Sequence, residues 1–387
     1  MSKTPFALVG ETVLPGGLLR RAGVVVEGGG ISAVIEAPRS GDLPADVREV
    51  RGLICPGFVD LQINGAFGLD VGPDHEALQA LARELPKTGT TSFLPTLISS
   101  PIERYGEFLD ALEKALPASG ANILGAHLEG PFLSPARKGA HDPENLRPVD
   151  FGLLEALLGT GMVRVMTIAP ELAGSGKAAG LLRAGGTVAS VGHTDATYEE
   201  VMRALEAGFT KATHLYNAMS PLTHRAPGAV GATLEDDRVR AGIIADGIHV
   251  HEGALRVAYR QKGADGLALV TDAMEAAGMP LGEYELSGRE VRLQDGAVRL
   301  PDGTLAGSAL TMDRALRNAV ALLGVSPQTA VRMAAETPAY VLGMPEKGRI
   351  APGADADLVV LAPDLSVEET IVAGETVYKK GDDERRT

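Results

Sequence analysis

The chain has no tryptophan and one cysteine among its 387 residues, and aromatic residues make up only 4%. The lone cysteine, Cys55, excludes an internal disulfide and suits a reducing compartment. Basic residues are also short: Lys+Arg 36 against Asp+Glu 50 gives a formal charge of −14. That deficit argues against nucleic acid and against an anionic membrane surface as partners, since both are bound through basic excess. It leaves open a small anionic substrate, which needs only a local basic pocket. No run reaches the ~18 apolar residues of a membrane span. The segment MSKTPFALVGETVLPGG lacks an apolar core with a cleavage site. The expectation is a cytoplasmic protein. Three motifs are missing as well: no GxxxxGK[ST] loop, no GxGxxG after a strand and no HExxH. Their absence argues against a P-loop enzyme, a dinucleotide enzyme and a zincin.

What is present divides into two textures. PFALVGETVLPGG and GVVVEGGGISAVIEA, near the start, alternate apolar and polar residues between Gly and Pro turns. ADLVVLAPDLSVEETIVAGETVYKKG, near the end, does the same. The expectation is a small β-sandwich domain assembled from both ends, 1–52 plus 347–387, with a charged tail, GDDERRT, that frays. Between them, at 53–346, apolar runs alternate with amphipathic segments that mostly end in Gly. The strand candidates are LICPGFVDLQI, TSFLPTL, NILGAHLEG, VRVMTIAP, TVASVGHT, FTKATHLYNAM, RAGIIADGIHV and GLALVTDAM. Eight strands over roughly 220 residues predict an α/β fold of the (β/α)8 TIM-barrel type. A doubly wound open sheet is the rival that pattern alone leaves standing. A β-like insertion, rich in alternation and DG turns, falls near 282–304.

In a barrel the strand C-terminal ends face the active site. The polar residues at those ends are Asp60, Gln62, Asn64, His127, Glu129, His193, His214, Asn217, Asp246, His249 and Asp272. Glu129, His193 and His214 make a carboxylate-and-two-imidazole set suited to Zn2+ or a similar divalent ion, with a fourth position left for water. Such an ion would bring that water's pKa towards neutrality. Asp272 stands where it could take the water's proton and pass it to a leaving group. The set describes a hydrolase acting on an amide or ester. Each residue also has a plainer reading. Glu129 could cap a loop and Asp272 a helix, and His127 could either support a ligand or pack in the core. In His249-Val-His251 the first imidazole reads as a substrate contact and the second as a surface residue. Cys55 reads as buried and inert, and His75 as a solvated helix start.

PGFVDLQING, HLEGPFL, KGAHDPE, VGHTDA, THLYNAM, HRAPG, DGIHV and VTDAM occur in this order. Together they resemble the N-acetylglucosamine-6-phosphate deacetylases of the amidohydrolase superfamily, over essentially the whole length. The resemblance implies Glu129, His193 and His214 as metal ligands and Asp272 as general acid/base. It implies Ala140 and His141 beside the acetamido carbonyl, with His141 catalytic. Asn217, Ala218, Arg225, Asp246 and His249 would grip sugar and phosphate, and Leu305, Ala306 and Gly307 would offer backbone contacts. It further implies a homodimer whose phosphate site is shared across the interface. Many amidohydrolases carry H-x-H at the end of strand one and bind two metals. Here that place reads Gln62-Ile63-Asn64, and amides are poor Zn2+ ligands beside imidazole. One ion per subunit is therefore expected, zinc first, with iron, manganese or cobalt as alternatives. Gln62 and Asn64 become substrate-side residues. The expected reaction is hydrolysis of an amino sugar phosphate's acetamide in amino-sugar catabolism. The alternatives are another single-metal amidohydrolase, such as an N-acyl amino acid deacylase or cyclic amidase, and a non-catalytic sugar-phosphate sensor.

Overall fold

Eight parallel strands account for the alternation in the middle of the chain. In the computed structural model, which describes residues 4–381, they are β1 Phe58–Ile63, β2 Thr90–Ile98, β3 Ala126–Glu129, β4 Val163–Ile168, β5 Val188–Val191, β6 Phe209–Ala212, β7 Arg240–Ile243 and β8 Leu267–Leu269. Neighbours in sequence are neighbours in the sheet, from β1 through to β8. An isolated parallel bridge between Ile63 and Ala273, with the Asp272 amide donating to the Gln62 carbonyl at 2.9 Å, joins the last strand to the first. The result is a barrel, and the open-sheet alternative falls. Every residue of β1 and of β2 is buried, as expected of parallel strands covered on both faces.

The helices form on the predicted pattern. Tyr198–Ala207 begins at a capping box, in which Thr197 and Glu200 satisfy each other's amides. It buries Val201, Ala204 and Leu205, three and four residues apart, against the barrel. The expected fraying of the tail concerns 382–387, outside the described residues.

Most of the predicted strands end early or divide: TVASVGHT stops at Val191, RAGIIADGIHV at Ile243 and GLALVTDAM at Leu269, and three others depart further. The run 53–63 is two strands: Asp46–Pro56 runs in a different sheet, and Gly57 separates it from β1. A β-carbon on Gly57 would overlap the Thr91 side chain, so the close passage of the two sheets requires glycine there. FTKATHLYNAM is a strand only to Ala212. Beyond it His214, Tyr216 and Ala218 take φ of 31°, 80° and 51°, left-handed values that no strand contains. NILGAHLEG breaks at Gly125, φ 133°.

Strands from both ends meet in one mixed seven-stranded sheet. Leu358–Leu361 pairs antiparallel with Asp46–Pro56 on one side and with Val367–Val372 on the other. Phe6, Leu8, Val24, Ile54, Leu358 and Ile371 pack in its own apolar core. A three-stranded antiparallel sheet, Gly282–Leu286, Arg289–Gln294 and Ala297–Arg299, stands apart with a further small core. That core includes Ile98, at the end of β2, and Met274, just past β8, so the sheet is anchored at the strand C-terminal ends.

Candidate active site

Glu129 is the last residue of β3, and His193 and His214 lie two residues beyond the ends of β5 and β6. Their ligating atoms all lie within 4.8 Å of one another. Glu129 Oε1 is 2.8 Å from His214 Nε2 and 3.1 Å from His193 Nε2. All three residues are buried. Burial would raise the Glu129 pKa, but the charge of His214 and hydrogen bonds from both imidazoles outweigh it and bring the carboxyl well below its usual value. His193 Nδ1 faces the Arg137 carbonyl at 2.9 Å. With a cation bound in place of the proton shared with Glu129, that bond would keep the proton on Nδ1 and leave the Nε2 lone pair for the ion, as in metal-binding histidines generally. The buried His214 Nδ1 has no partner among the described residues. One carboxylate and two inward-facing imidazole nitrogens fit a divalent cation of the zinc type.

Asp272, three residues beyond β8, lines the same cavity as this group. Asn64 Nδ2 donates to its Oδ1 at 2.8 Å, and Gln62 Nε2 donates to the same oxygen at 3.1 Å and to Glu129 Oε2 at 3.2 Å. Burial, then repulsion from Glu129, pushes the Asp272 carboxyl up to about 6. His141 Nδ1 accepts from the Ser99 amide at 3.2 Å, so its other nitrogen carries the proton. Burial, then the charge of His193, holds the His141 imidazole well below its usual pKa and keeps it neutral. A neutral imidazole with an Nε2–H is a hydrogen-bond donor for a carbonyl oxygen.

His193, His214 and Asp272 have φ of 47°, 31° and 49°. Non-glycine residues are rarely held there, at a cost of about 1–3 kcal/mol each. Three in one cavity mark a site whose geometry the surrounding fold imposes.

The cavity above them, about 630 Å3, is lined by Asn64, Ala140, His141, Asn217, Ala218, His249, Asp272, Leu305 and Gly307, together with the Glu129 triad. Four other expected contacts lie elsewhere. Gln62 sits beneath the cavity on its two carboxylates. Asp246 is behind His249, its Oδ2 2.6 Å from His249 Nδ1, which turns His249 Nε2 outward. Ala306 is fully buried in the core of the small sheet. Arg225 lies in the exposed segment 221–226 and does not line the cavity of its own chain.

The plainer readings hold for several residues. His127 is fully buried; its Nε2 meets Thr167 Oγ1 at 2.8 Å and its Nδ1 the Leu61 carbonyl at 3.1 Å. Burial, then the charge of Lys211, pushes its pKa down to about 3. Cys55 is buried, and burial alone pushes its thiol up. His75 opens the helix His75–Glu84 behind the Asp74 cap. His251 caps the helix Glu252–Gly266 through its Nδ1, which accepts from Gly253.

Five cations emerge only in the structure. Lys138, Arg137 and Arg299 line the cavity, and Arg289 donates to the Ala140 carbonyl at 2.5 Å. Lys211 is fully buried inside the barrel, and burial pushes its ammonium down to about 8.

The amidohydrolase family pattern matches residues 53–377. A Bos taurus N-acetylglucosamine-6-phosphate deacetylase is 40% identical over 390 residues, covering 95% of this chain and 94% of its own length. An Escherichia coli O157:H7 N-acetylgalactosamine-6-phosphate deacetylase is 37% identical over 353 residues, covering 89% and 92%. Among solved structures, a Mycobacterium smegmatis N-acetyl-D-glucosamine-6-phosphate deacetylase mutant in complex with N-acetyl-D-glucosamine-6-phosphate superposes with a TM-score of 0.92 at 34% identity, covering 98% and 100%. The barrel and its mouth define a hydrolase of the amidohydrolase family. Within that family the chain belongs to the N-acetylglucosamine-6-phosphate deacetylases.

Proposed function

We propose that the chain hydrolyses the acetamide of N-acetyl-D-glucosamine 6-phosphate to D-glucosamine 6-phosphate and acetate, in amino-sugar catabolism. The observation that carries this is the convergence of the Glu129–His193–His214 triad, the Asp272 carboxylate and the His141 N–H on one cavity. When bound at the triad, a divalent ion supplies Lewis-acid polarisation and makes a water molecule acidic near neutral pH. Asp272 takes the proton of the attacking water and returns it to the departing amine. Gln62 and Asn64 hold its Oδ1, so the carboxylate keeps one orientation through both transfers. His141, pinned by the Ser99 amide, donates to the acetyl oxygen as it gains charge.

The ion is single and is zinc on this reading. Gln62 and Asn64 turn N–H groups towards the carboxylates, and an N–H cannot ligate a cation. Ala140, Asn217, Ala218, His249, Leu305 and Gly307 hold the sugar phosphate, and Arg225 reaches the phosphate across a homodimer interface. The small β-domain is drawn from both ends, 1–52 plus 347–387, with Leu53–Pro56 completing its strand Asp46–Pro56, and the catalytic barrel runs from Phe58 to 346. Among the described residues no helix is long and apolar enough to cross a membrane, and we place the enzyme in the cytoplasm.

The test is acetate release by metal-defined enzyme from N-acetylglucosamine 6-phosphate, its galacto epimer and unphosphorylated N-acetylglucosamine. The gluco phosphate should give the highest kcat/KM. Equal rates with and without phosphate would point to a different amide, and binding without acetate release to a sensor.

A further inference from the structure

Lys211 is the one Lys or Arg with no exposed surface among the described residues. It lies on β6, in register with Ser190 of β5 and Arg240 of β7. Its ammonium has no ion pair among the described residues, and its one hydrogen bond, to Thr213 Oγ1, is long at 3.5 Å. Burying an ammonium is costly unless opposite charge nearby offsets it. Burial brings this one down to about 8, still protonated at neutral pH.

The side chains around Lys211 leave it the only strand-borne cation of the barrel interior. Thr213 Oγ1 meets Ser190 Oγ at 2.6 Å and Thr167 Oγ1 at 2.7 Å, and Thr167 Oγ1 meets His127 Nε2 at 2.8 Å. His127 Nδ1 faces the Leu61 carbonyl, which can only accept, so Nδ1 carries the proton and Nε2 accepts from the Thr167 hydroxyl. His127 is therefore neutral. Arg164 of β4 donates to the Leu124 carbonyl, and Arg240 stacks on the Tyr340 ring, 3.9 Å from its centroid. β2 carries no charged residue.

Three carboxyl groups are buried with it: Asp60 on β1, Glu129 on β3 and Asp272 beyond β8. Asp60 meets only donors, the Gln62 amide at 3.2 Å, the Thr271 amide at 3.3 Å and the Thr271 hydroxyl at 2.5 Å, the pattern of a carboxylate. A divalent ion at the triad offsets two negative charges and leaves one. The imidazoles of His193 and His214, as its ligands, add none.

We infer that Lys211 is a positioning residue for the reaction: its ammonium is a built-in counter-charge beneath the site that, with one divalent ion at the triad, completes the charge balance of Asp60, Glu129 and Asp272. The inference rests on the single-ion amide-hydrolase reading given above. The charge acts in two directions. It repels the ion, and it favours the charged form of Asp272. Removing it should therefore tighten ion binding while slowing the reaction, whereas damage to the fold would weaken both.

The experiment uses Lys211→Met and Lys211→Gln, which keep most of the length and lose the charge. Zn2+ is titrated into metal-free protein against a chromophoric chelator, and acetate release from N-acetylglucosamine 6-phosphate is followed against pH. Both variants should bind Zn2+ about tenfold more tightly than the parent. Their kcat should fall about tenfold with KM little changed, and the acid limb of kcat/KM should move to higher pH. Ion binding that is unchanged or weaker overturns the inference, and so does a limb that stays in place. Should neither variant fold, the parent holoenzyme decides the matter through the 13Cε shift of Lys211: an ammonium at pH 7 upholds the counter-charge and a neutral amine overturns it. A parent that releases no acetate, or that holds two ions, would instead defeat the reading on which the inference rests.

Discussion

Asn64 and Asp272 meet at 2.8 Å, amide to carboxylate, across the seam where the first strand of the barrel adjoins the last. The same seam holds the backbone bond from the Asp272 amide to the Gln62 carbonyl. Barrel closure and the setting of the general base are therefore one event: the residue proposed to move protons is fixed by the bonds that close the sheet.

Asp272→Asn keeps the size of the side chain and loses the base. General acid–base groups contribute roughly 10²- to 10⁴-fold, and kcat should fall by that order while metal content, read by elemental analysis, stays at the parent's value. Full activity in this variant would remove Asp272 from the mechanism.

The acid limb of the pH profile follows from the Asp272 carboxyl, which is pushed up to about 6. The carboxylate is the working form, so kcat/KM should fall as pH drops through that region, and a cation bound nearby draws the limb to the acid side of it. A hydrogen bond to a charged group contributes roughly 1.5–3 kcal/mol, and one pKa unit is about 1.4 kcal/mol. Asn64→Ala removes a donor that favours the carboxylate, so the limb should move up by about one unit. A limb that stays put, or moves down, contradicts the role given to Asn64.

His193→Ala should abolish tight binding of a divalent ion. In the parent enzyme, ion at a hundred times its Kd should raise stability by about 2.7 kcal/mol, visible as a higher Tm after chelation and refilling. The variant should show no such rise. Elemental analysis of the refilled parent should give one ion per chain, and two tightly held ions would show that Gln62 and Asn64 permit a second site.

Gly57→Ala probes the passage between the two sheets. The added methyl collides with Thr91, and Gly57 also gives its amide to the Asp357 carbonyl at 2.8 Å. Overpacking of this kind costs about 1–3 kcal/mol. The Tm should fall, with the folded fraction retaining parental kcat. Gly57→Ala in combination with Thr91→Ser should recover part of the loss.

The sequence made the barrel legible because parallel strands buried on both faces read as short apolar runs, and several of the helices between them end in glycine. Glu129, His193, His214 and Asp272 were legible for a related reason, since each follows such a run closely and a barrel gathers strand ends. Arg299 and Lys138 were not, because hairpin and loop residues reach the cavity through tertiary packing that no periodicity records. Lys211 was hidden by its type, because a lysine in a strand suggests solvent whereas β6 turns it inward. The strand breaks after Ala212 and at Gly125 were obscured by apolar residues that continue past the end of pairing.

The strand Asp46–Pro56 acquires its partner Leu358–Leu361 only after about 300 further residues have been added. At roughly 5–20 residues per second, one edge of that strand waits on the order of 15–60 s on the ribosome. An open, partly apolar edge is a template for pairing with other chains. The sheet woven from both ends thus makes the last strands the point of commitment in biogenesis. A nascent chain stalled before Leu358 would hold an assembled barrel half beside an unguarded edge, and chaperone capture or aggregation would be decided there.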